Sequence, residues 1–421
     1  MTDLVTDFRI KLDGFFTEKL PRKIAVAISG GSDSMALTIL LQKFCLEKKI
    51  KLSAITINHN MRESSTIEAS QLHQILRKKK ITHEILEIDP KKIPTSNIEA
   101  RLREARYELL YQSCIKQKIE FLFLGHQLDD VAENFLIRLF RGSGLDGLSS
   151  MQELASFKKI KLARPLLNSS KIELQRFLFD QNVEWFEDES NLDEKFLRNK
   201  IRNFLDTIPD KNLIQKRIKN TSDELTKIRD SFDEILLSEA RKILEFSETG
   251  YFLIDLTKIK KIDEKIALKI LALVLLEISG QVYKPRLEKL RRFYEWMITD
   301  LAHKPKTFYG CIIEKYDSKR LAIYREKRAI DQNDVKLFDK KNYLFDGRIL
   351  VEVNAKNAEH LFFPNQCQAR AIKTYCEASK NPKIMKKIFA TCLCKIKEES
   401  VTVVPHRFYF RTILKSAANF L

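Results

Sequence analysis

The sequence contains no Cys-x-x-Cys pair. Its seven cysteines are scattered along 421 residues, at positions 45, 114, 311, 367, 376, 392 and 394. Zinc ribbons and dithiol redox motifs need paired cysteines, so neither is supported. The pattern Cys392-x-Cys394, with His406 well downstream, is more typical of buried thiols than of a metal site.

Long apolar runs and an N-terminal signal sequence are also missing. The longest apolar stretch, residues 270–276, is far shorter than the ~20 residues needed to span a bilayer. Asp3 and Asp7 stand where a signal peptide would have basic residues, and no apolar h-region follows them. We therefore expect a cytoplasmic protein that has no membrane partner.

Positive charge is in excess. Lys and Arg number 75 against 57 Asp and Glu, and the net charge of +18 is spread along the chain. Such a surface attracts polyanions, nucleic acid first and anionic membrane second, although charge alone does not choose between them. The length predicts two or three domains, which we place at residues 1–212, 213–328 and 329–421.

The most informative stretch is residues 24–34. An apolar run leads into Ser29-Gly30-Gly31-Ser32-Asp33-Ser34, and apolar residues then return at helical spacing, which predicts a buried strand, a glycine turn and a helix N-terminus. This turn has neither the Walker spacing nor Gly-x-Gly-x-x-Gly, and it contains no lysine. Backbone N–H groups at the two glycines can close around a phosphate, the serines add hydroxyl donors, and Asp33 can hold Mg²⁺.

Strands alternate with helices in the first part of the chain, which predicts an α/β fold with a doubly wound parallel sheet. Ligands of such sheets bind beyond the carboxyl ends of the strands. Three predicted strands end in polar clusters, at Ser29–Ser34, Asn58–Arg62 and Gly125–Glu133. The sequence therefore predicts one active site at this edge of the sheet.

Two charged pairs lie beyond the turn. Asp130 and Glu133 are three residues apart on a predicted helix, so they share a face and can bind a cationic substrate; compensation of the helix dipole is the alternative. Arg198 and Arg202 present two guanidinium groups on one helix face, for which a solvated cationic surface is the alternative. Between them, residues 138–148 combine two arginines with three glycines, typical of a loop that approaches a phosphodiester, or of a plain surface loop.

The second half of the chain predicts a helical middle domain and a small mixed α+β C-terminal domain. Residues 265–278 are apolar nearly all round, as in a buried helix. Five basic residues between 284 and 292 stand beside aromatic residues at 283, 293, 294 and 296. These residues either bind RNA or form an amphipathic helix whose aromatic side chains lie in the core.

Seven separated motifs occur in order. They are Ser29–Ser34, Asn58-His59-x-x-Arg62, Ala105-Arg106-Tyr107, Gly125-His126-x-x-Asp129-Asp130-x-x-Glu133, Arg141-Gly142-Ser143-Gly144, Arg164-Pro165-Leu166, and Glu187-Asp188-x-Ser190-Asn191 leading to Arg198-Asn199-x-x-Arg202. With this set the chain resembles the tRNA(Ile)-lysidine synthase family of N-type, PP-loop ATP pyrophosphatases, closely over residues 20–205 and more loosely beyond. Val131 and Asn134 replace the Gln and Thr of that family's Asp-Asp-Gln-x-Glu-Thr segment, which leaves the paired acids unchanged.

The resemblance implies ligation of free L-lysine to C2 of the wobble cytidine of the isoleucine tRNA with a CAU anticodon. ATP would adenylate the base and release pyrophosphate, and the lysine amine would then displace AMP. The implied cofactors are ATP and Mg²⁺, and we expect a monomer or a homodimer.

The resemblance also implies a role for each matching residue. ATP and pyrophosphate would bind at Ser29, Gly30, Gly31, Ser32, Asp33, Ser34, Asn58 and His59, and the metal at Asp33. Lysine would bind at Asp130 and Glu133, and tRNA at Arg62, Arg103, Arg141, Arg198 and Arg202. Arg106 would be catalytic together with Asp33, Asp130 and Glu133.

Two other functions stay open on the sequence. A related ATP pyrophosphatase that thiolates tRNA would need cysteines at its site, whereas Cys45 and Cys114 fall within predicted helices. A catalytically inactive RNA-binding protein is the second alternative, and the intact Ser29–Ser34 turn with Asp130 and Glu133 argues against it.

Overall fold

The chain forms two compact units in a computed structural model, one reaching Asp230 and the other beginning at Ser231. The division lies inside the helix Lys211–Ile243, whereas the boundary that we placed after residue 212 lies near the start of that helix. No helix in the part of the chain that the structure describes is long and apolar enough to cross a membrane. The described residues are 3–17, 19–58, 63–88, 98–149, 151–186, 197–247, 250–281, 283–299, 304–330, 335–339, 342–345, 349–352, 361–362, 381, 383–384, 387, 394–397 and 400–403.

The first unit alternates strands and helices and then continues in helices alone. Its elements are α1 (Leu4–Phe15), β1 (Lys23–Ala27), α2 (Ser32–Lys48), β2 (Lys51–Asn58), α3 (Glu63–Lys78), β3 (Thr82–Glu87), α4 (Ile98–Lys116), β4 (Phe121–Leu124), α5 (Leu128–Phe140), α6 (Leu145–Leu148), β5 (Leu154–Phe157), β6 (Ile160–Ala163), α7 (Lys171–Asp180), α8 (Leu197–Asp206) and α9 (Lys211–Ile243).

Six strands of this unit form one sheet in the order β3-β2-β1-β4-β6-β5. All neighbours are parallel except β5, which pairs antiparallel with β6 at the edge. The chain turns to one side of β1 for β2 and β3 and to the other side for β4, so β1 and β4 bracket the crevice where such sheets bind ligands. This arrangement confirms the predicted doubly wound α/β fold.

Helices cover both faces of the sheet. Side chains of β1 alternate between the two faces, so this strand places apolar residues on each of them. Ile24 and Val26 pack into the core cluster that contains apolar residues of α1, α2 and α7. Ala25, between them, packs on the opposite side with Tyr107 and Tyr111 of α4. A strand buried on both faces carries no polar side chain in its middle, so polar groups are confined to its end.

The second unit contains an antiparallel sheet in addition to helices. Its elements are β7 (Leu244–Ser247), β8 (Tyr251–Asp255), α10 (Leu256–Ile259), α11 (Glu264–Ser279), α12 (Leu287–Ile298), β9 (Lys306–Phe308), β10 (Cys311–Lys315), β11 (Arg320–Arg325), the 3-10 turn Lys327–Ala329, β12 (Val335–Asp339), β13 (Asn342–Phe345), β14 (Ile349–Glu352), β15 (Leu361–Phe362), β16 (Cys394–Lys397) and β17 (Ser400–Val403). Strands β7, β8, β11, β10 and β9 form one sheet in that order, and β12–β14 and β15–β17 form two smaller ones.

Helix α11 lies at the centre of this unit's core, which confirms the predicted buried helix over 265–278. The five-stranded sheet beside it was not predicted, because strands of 3 to 6 residues are too short to give a reliable period. On α12, Phe293 and Tyr294 are buried, so the core interpretation holds for these two aromatic residues. Tyr283, just before that helix, is exposed.

Candidate active site

A glycine turn between β1 and α2 forms the phosphate-binding end of the candidate site. Gly31 is the N-cap of α2, and Gly30 has a φ of +89°, a conformation that L-residues rarely adopt. A Cβ on Gly30 would lie 2.5 Å from Cδ2 of Phe186, whose backbone N–H donates to the Gly30 carbonyl at 2.9 Å. The turn is therefore fixed from outside by Phe186, a residue to which the sequence analysis assigned no role.

Serine hydroxyls fix the same turn from inside. The Ser34 hydroxyl donates to the Gly31 carbonyl at 3.0 Å and accepts from the Ser29 N–H at 3.2 Å, and the Ser29 hydroxyl lies 3.3 Å from it. The end of β4 closes on this turn, since a Cβ on Gly125 would lie 3.1 Å from the Ser34 backbone. The predicted ATP-binding turn is thus held in one conformation at a helix N-terminus.

Asp33 lies among other carboxylates at the first turn of α2. Its pKa is raised to about 6, by burial first and then by the charges of Asp130 and Asp129, against the opposing effects of Lys171 and the Ser32 hydroxyl. The described residues hold no ready-made group of three or more His, Cys, Asp or Glu that could bind a metal ion. Mg²⁺ is usually held by one or two carboxylates together with substrate phosphates, so Asp33 beside a phosphate turn fits this ion.

Glu133 is the centre of a buried ion cluster between α5 and α8. Its side chain is 2% exposed, and its two oxygens accept from Nε of Arg198 at 2.7 Å and from Nε of Arg202 at 2.9 Å. Arg198 also reaches Oδ1 of Asp130 at 3.1 Å. Apolar packing of Ala132 against α8 holds the two helices together at this point.

The cluster joins residues for which the sequence analysis expected separate roles. The predicted lysine-binding pair, Asp130 and Glu133, lies directly on the predicted tRNA-binding pair, Arg198 and Arg202. Burial raises the pKa of Asp130, Arg198 lowers it and Glu133 raises it, with a net upward shift. Glu133 therefore accepts from two guanidinium groups, whereas Asp130 shares one of them and accepts from the Gln127 backbone N–H at 3.1 Å.

A second group of cations surrounds the end of β4. The guanidinium groups of Arg103 and Arg106 lie 5.4 and 5.5 Å from the ring centre of Tyr107. Burial raises the pKa of Tyr107, but the charges of Arg103, Arg164 and Arg106 outweigh it, so the net shift is downward. Burial, and then the same arginines together with Arg198, hold the pKa of His126 well below its usual value.

Three polar atoms in this cationic pocket lack partners. The hydroxyl of Tyr107, Nδ1 of His126 and Nε of Arg164 are buried and have no hydrogen-bond partner among the described residues. Crowded cations with unsatisfied polar atoms are typical of a site that receives an anion. Arg103 and Arg106 are predicted site residues, whereas Tyr107, His126 and Arg164 have no predicted role, although all three stand in the motifs quoted above.

The remaining predicted site residues are less central. Asn58 is buried at the end of β2, in line with the turn on the neighbouring strand. Arg141 is exposed at the C-terminal end of α5. His59 and Arg62 lie outside the described residues.

The raised pKa of Asp33 predicts a pH-dependent stability. The folded protein keeps the Asp33 proton up to about pH 6, whereas the unfolded chain loses it near pH 3.8. The protonated side chain therefore contributes fully to the free energy of unfolding below pH ~4, and this contribution is lost as the pH rises to ~6. Asp33→Asn should therefore be more stable than the wild type at pH 7.5, by about 1–3 kcal/mol, and nearly equal at pH 4. Urea unfolding at both pH values measures this, with Asp180→Asn, at an exposed position of α7, as control; parallel pH profiles for wild type and Asp33→Asn would contradict it.

Comparison with known proteins identifies the relatives of this chain. Residues 4–208 match the PP-loop domain family model. The tRNA(Ile)-lysidine synthase of Orientia tsutsugamushi is 31% identical over 94% of this chain and 92% of its own length. That of Rickettsia prowazekii is 31% identical over 92% and 90%, and that of Rickettsia typhi is 33% identical over 80% and 77%.

The chain belongs to the tRNA(Ile)-lysidine synthase family. The similarity extends over nearly all of both chains, so it includes the second unit as well as the PP-loop domain. Membership confirms the predicted family, the PP-loop fold class, the use of ATP and the ligase activity in tRNA modification. Among solved structures, the U34-tRNA thiolase of Methanococcus maripaludis aligns with 53% of this chain and 80% of its own, at 20% identity and a TM-score of 0.43.

Proposed function

We propose that this tRNA(Ile)-lysidine synthase family member joins free L-lysine to C2 of the wobble cytidine of the isoleucine tRNA with a CAU anticodon. It would act in the cytoplasm, as a monomer or homodimer, with ATP and Mg²⁺. The observation that carries the proposal is the juxtaposition of a phosphate turn, a carboxylate cluster and a cationic pocket beyond β1 and β4. The charge of Asp130 acts on Asp33, and that of Arg198 acts on His126, so the three parts are neighbours.

In the first step the C2 oxygen of the cytidine attacks the α-phosphorus of ATP, and the bond to pyrophosphate breaks. The turn at Ser29–Ser34 holds the leaving pyrophosphate with backbone N–H groups and the dipole of α2. Asp33 would hold Mg²⁺, which when bound neutralises charge on the leaving group. The arginines around His126 hold the remaining α-phosphate, now an ester on the base.

In the second step the lysine amine forms the C2–N bond, and AMP leaves with the former C2 oxygen. The attacking amine has an ordinary pKa near 10.4, so it must lose a proton, and removal from water favours this. His126 stays neutral because burial and neighbouring arginines disfavour its charged form, so its free Nδ1 can accept or donate a hydrogen bond at the reacting base.

Asp130 is the better receptor for a lysine ammonium group within the acidic pair. Glu133 already accepts from two guanidinium groups, and a ligand there would have to displace both. At Asp130 the ligand competes with one guanidinium contact, from Arg198 to Oδ1 at 3.1 Å, while Oδ2 accepts from the Gln127 backbone N–H at 3.1 Å. An Arg198 released in this way can pair with the lysine carboxylate, which conserves the charge balance of the cluster.

Asp130→Asn should raise the KM for lysine by about 10- to 100-fold, because it removes one charge-assisted contact, while ATP-dependent pyrophosphate release changes little. Steady-state kinetics with labelled lysine give the first number, and pyrophosphate release without lysine gives the second. The matched control is Asp129→Asn, which removes the adjacent carboxylate that lies 3.4 Å from Lys211. Loss of pyrophosphate release with an unchanged KM for lysine would reassign Asp130 to the first step.

One incubation tests the function as a whole. The purified chain is given ATP, Mg²⁺, labelled lysine and the isoleucine tRNA transcript, and the tRNA is digested to nucleosides. We expect label in a modified cytidine and release of AMP and pyrophosphate. Absence of labelled nucleoside, or sulfur incorporation from a persulfide donor instead, would refute the proposal.

A further inference from the structure

An exposed phenylalanine stands at the C-terminal end of α5. Phe140 is 63% exposed, and the next residue, Arg141, is exposed and makes no ion pair among the described residues. The loop that follows Phe140 leaves open space at the C-terminal end of α5. Gly142 has a φ of +70°, and a Cβ on Gly142 or Gly144 would meet nothing within 4 Å.

Helical spacing places Phe140 on the same face of α5 as Glu133, seven residues earlier. Along that face Leu136 and Ile137 pack with Ile201 and Leu205 of α8. Phe140 continues this apolar ridge one turn further, where it is mostly uncovered. The ring therefore lies on the side of α5 that carries the candidate active site, but outside the protein core.

The C-terminal end of α5 is cationic. Burial and the charge of Arg103 lower the pKa of Arg138, so two guanidinium groups are close enough to repel each other near the end of α5. Arg141 adds a third cation on the neighbouring position of the chain. An exposed aromatic ring followed in the chain by an exposed cation, Arg141, matches the chemistry of an unpaired nucleotide, which offers a base for stacking and a phosphate for pairing.

We propose that Phe140 stacks on an unpaired base of the RNA substrate and that Arg141 pairs with a phosphate beside it. The inference rests on the proposed function only in that RNA is the substrate. The ten residues from Asp130 to Phe140 rise about 15 Å, which is roughly four stacked nucleotides at ~3.4 Å each. The stacked base therefore lies about four nucleotides from the reacting base, and Phe140 sets the register of the RNA strand.

Binding of the full chain to the isoleucine tRNA transcript, measured without ATP or lysine, tests this role. Loss of base–aromatic stacking should weaken binding of Phe140→Ala by about 5- to 150-fold, whereas Phe140→Trp binds within about threefold of the wild type. The controls are Leu139→Ala, the exposed neighbour on another face of α5, and Phe179→Ala, a 77% exposed ring on α7; both should bind as the wild type does.

Two further readouts separate stacking from a structural role. Phe140→Trp should change its fluorescence when the transcript is added, beyond the change that the wild type shows, and Arg141→Ala should reduce the salt dependence of binding by about one phosphate contact. Wild-type affinity in Phe140→Ala, or losses in Leu139→Ala and Phe179→Ala equal to that in Phe140→Ala, would overturn the inference. Tight binding of the wild type without formation of a modified cytidine would refute the proposed function and leave this test intact.

Discussion

Replacing Gly30 by alanine should lower ATP-dependent pyrophosphate release by at least about 100-fold, because displacement of a reacting group by ~1 Å is enough for such a loss. Alanine at φ +89° is strained, and its methyl group would lie 2.5 Å from the Phe186 ring. The turn must therefore shift, and the backbone N–H groups that cradle the pyrophosphate shift with it. Pyrophosphate release at saturating ATP and tRNA measures the loss.

The same substitution elsewhere in the chain provides the control. Gly14 lies within α1, and a Cβ there would meet nothing within 4 Å. Gly14→Ala should keep full activity and gain about 0.5–1 kcal/mol of stability, since alanine is the better helix residue. Adding Phe186→Ala to Gly30→Ala removes the collision but not the strained φ, so recovery should be partial. Full activity in Gly30→Ala alone would show that the turn does not hold the phosphate.

Removing both arginines of the ion cluster should cost far more stability than the two single changes added together. In Arg198→Ala, Glu133 keeps Arg202 at 2.9 Å, and in Arg202→Ala it keeps Arg198 at 2.7 Å, so each single variant should lose about 1 kcal/mol. The double variant leaves a carboxylate that is 2% exposed without a cation. Breaking such a buried pair costs about 3–5 kcal/mol.

A double-mutant cycle by chemical denaturation measures this coupling, which should exceed about 1 kcal/mol. Glu133→Gln in the double-variant background should recover most of the stability, because it removes the buried charge. Additive losses without such recovery would mean that the arginines do not neutralise Glu133, and that their contribution lies with the tRNA, as the sequence pattern suggested. The cycle therefore separates the structural role of Arg198 and Arg202 from a role in RNA binding.

The parts of the site that the sequence predicted well are those whose chemistry is local. The turn at Ser29–Ser34 follows from a buried strand, two glycines and a helix start, all within eleven residues, and the structure has each of these. The parallel sheet follows from the alternation of strands and helices. The five-stranded antiparallel sheet was not predicted, because its strands are short and some of them pair with strands far away in the sequence, as β8 does with β11. A local sequence pattern does not indicate such pairing.

The sequence by itself determined the fold of the first unit, the position of the phosphate turn, and the side-chain types that meet beyond β1 and β4. Only the tertiary structure decided which of them meet: Phe186 on Gly30, two arginines on Glu133, and Arg164 beside Tyr107 and His126. Periodicity and capping act between neighbours in the chain, so they can be read from the sequence. A buried charge is compensated by whatever residue packing brings to it, here 65 to 69 positions away, and that depends on how α5 and α8 pack.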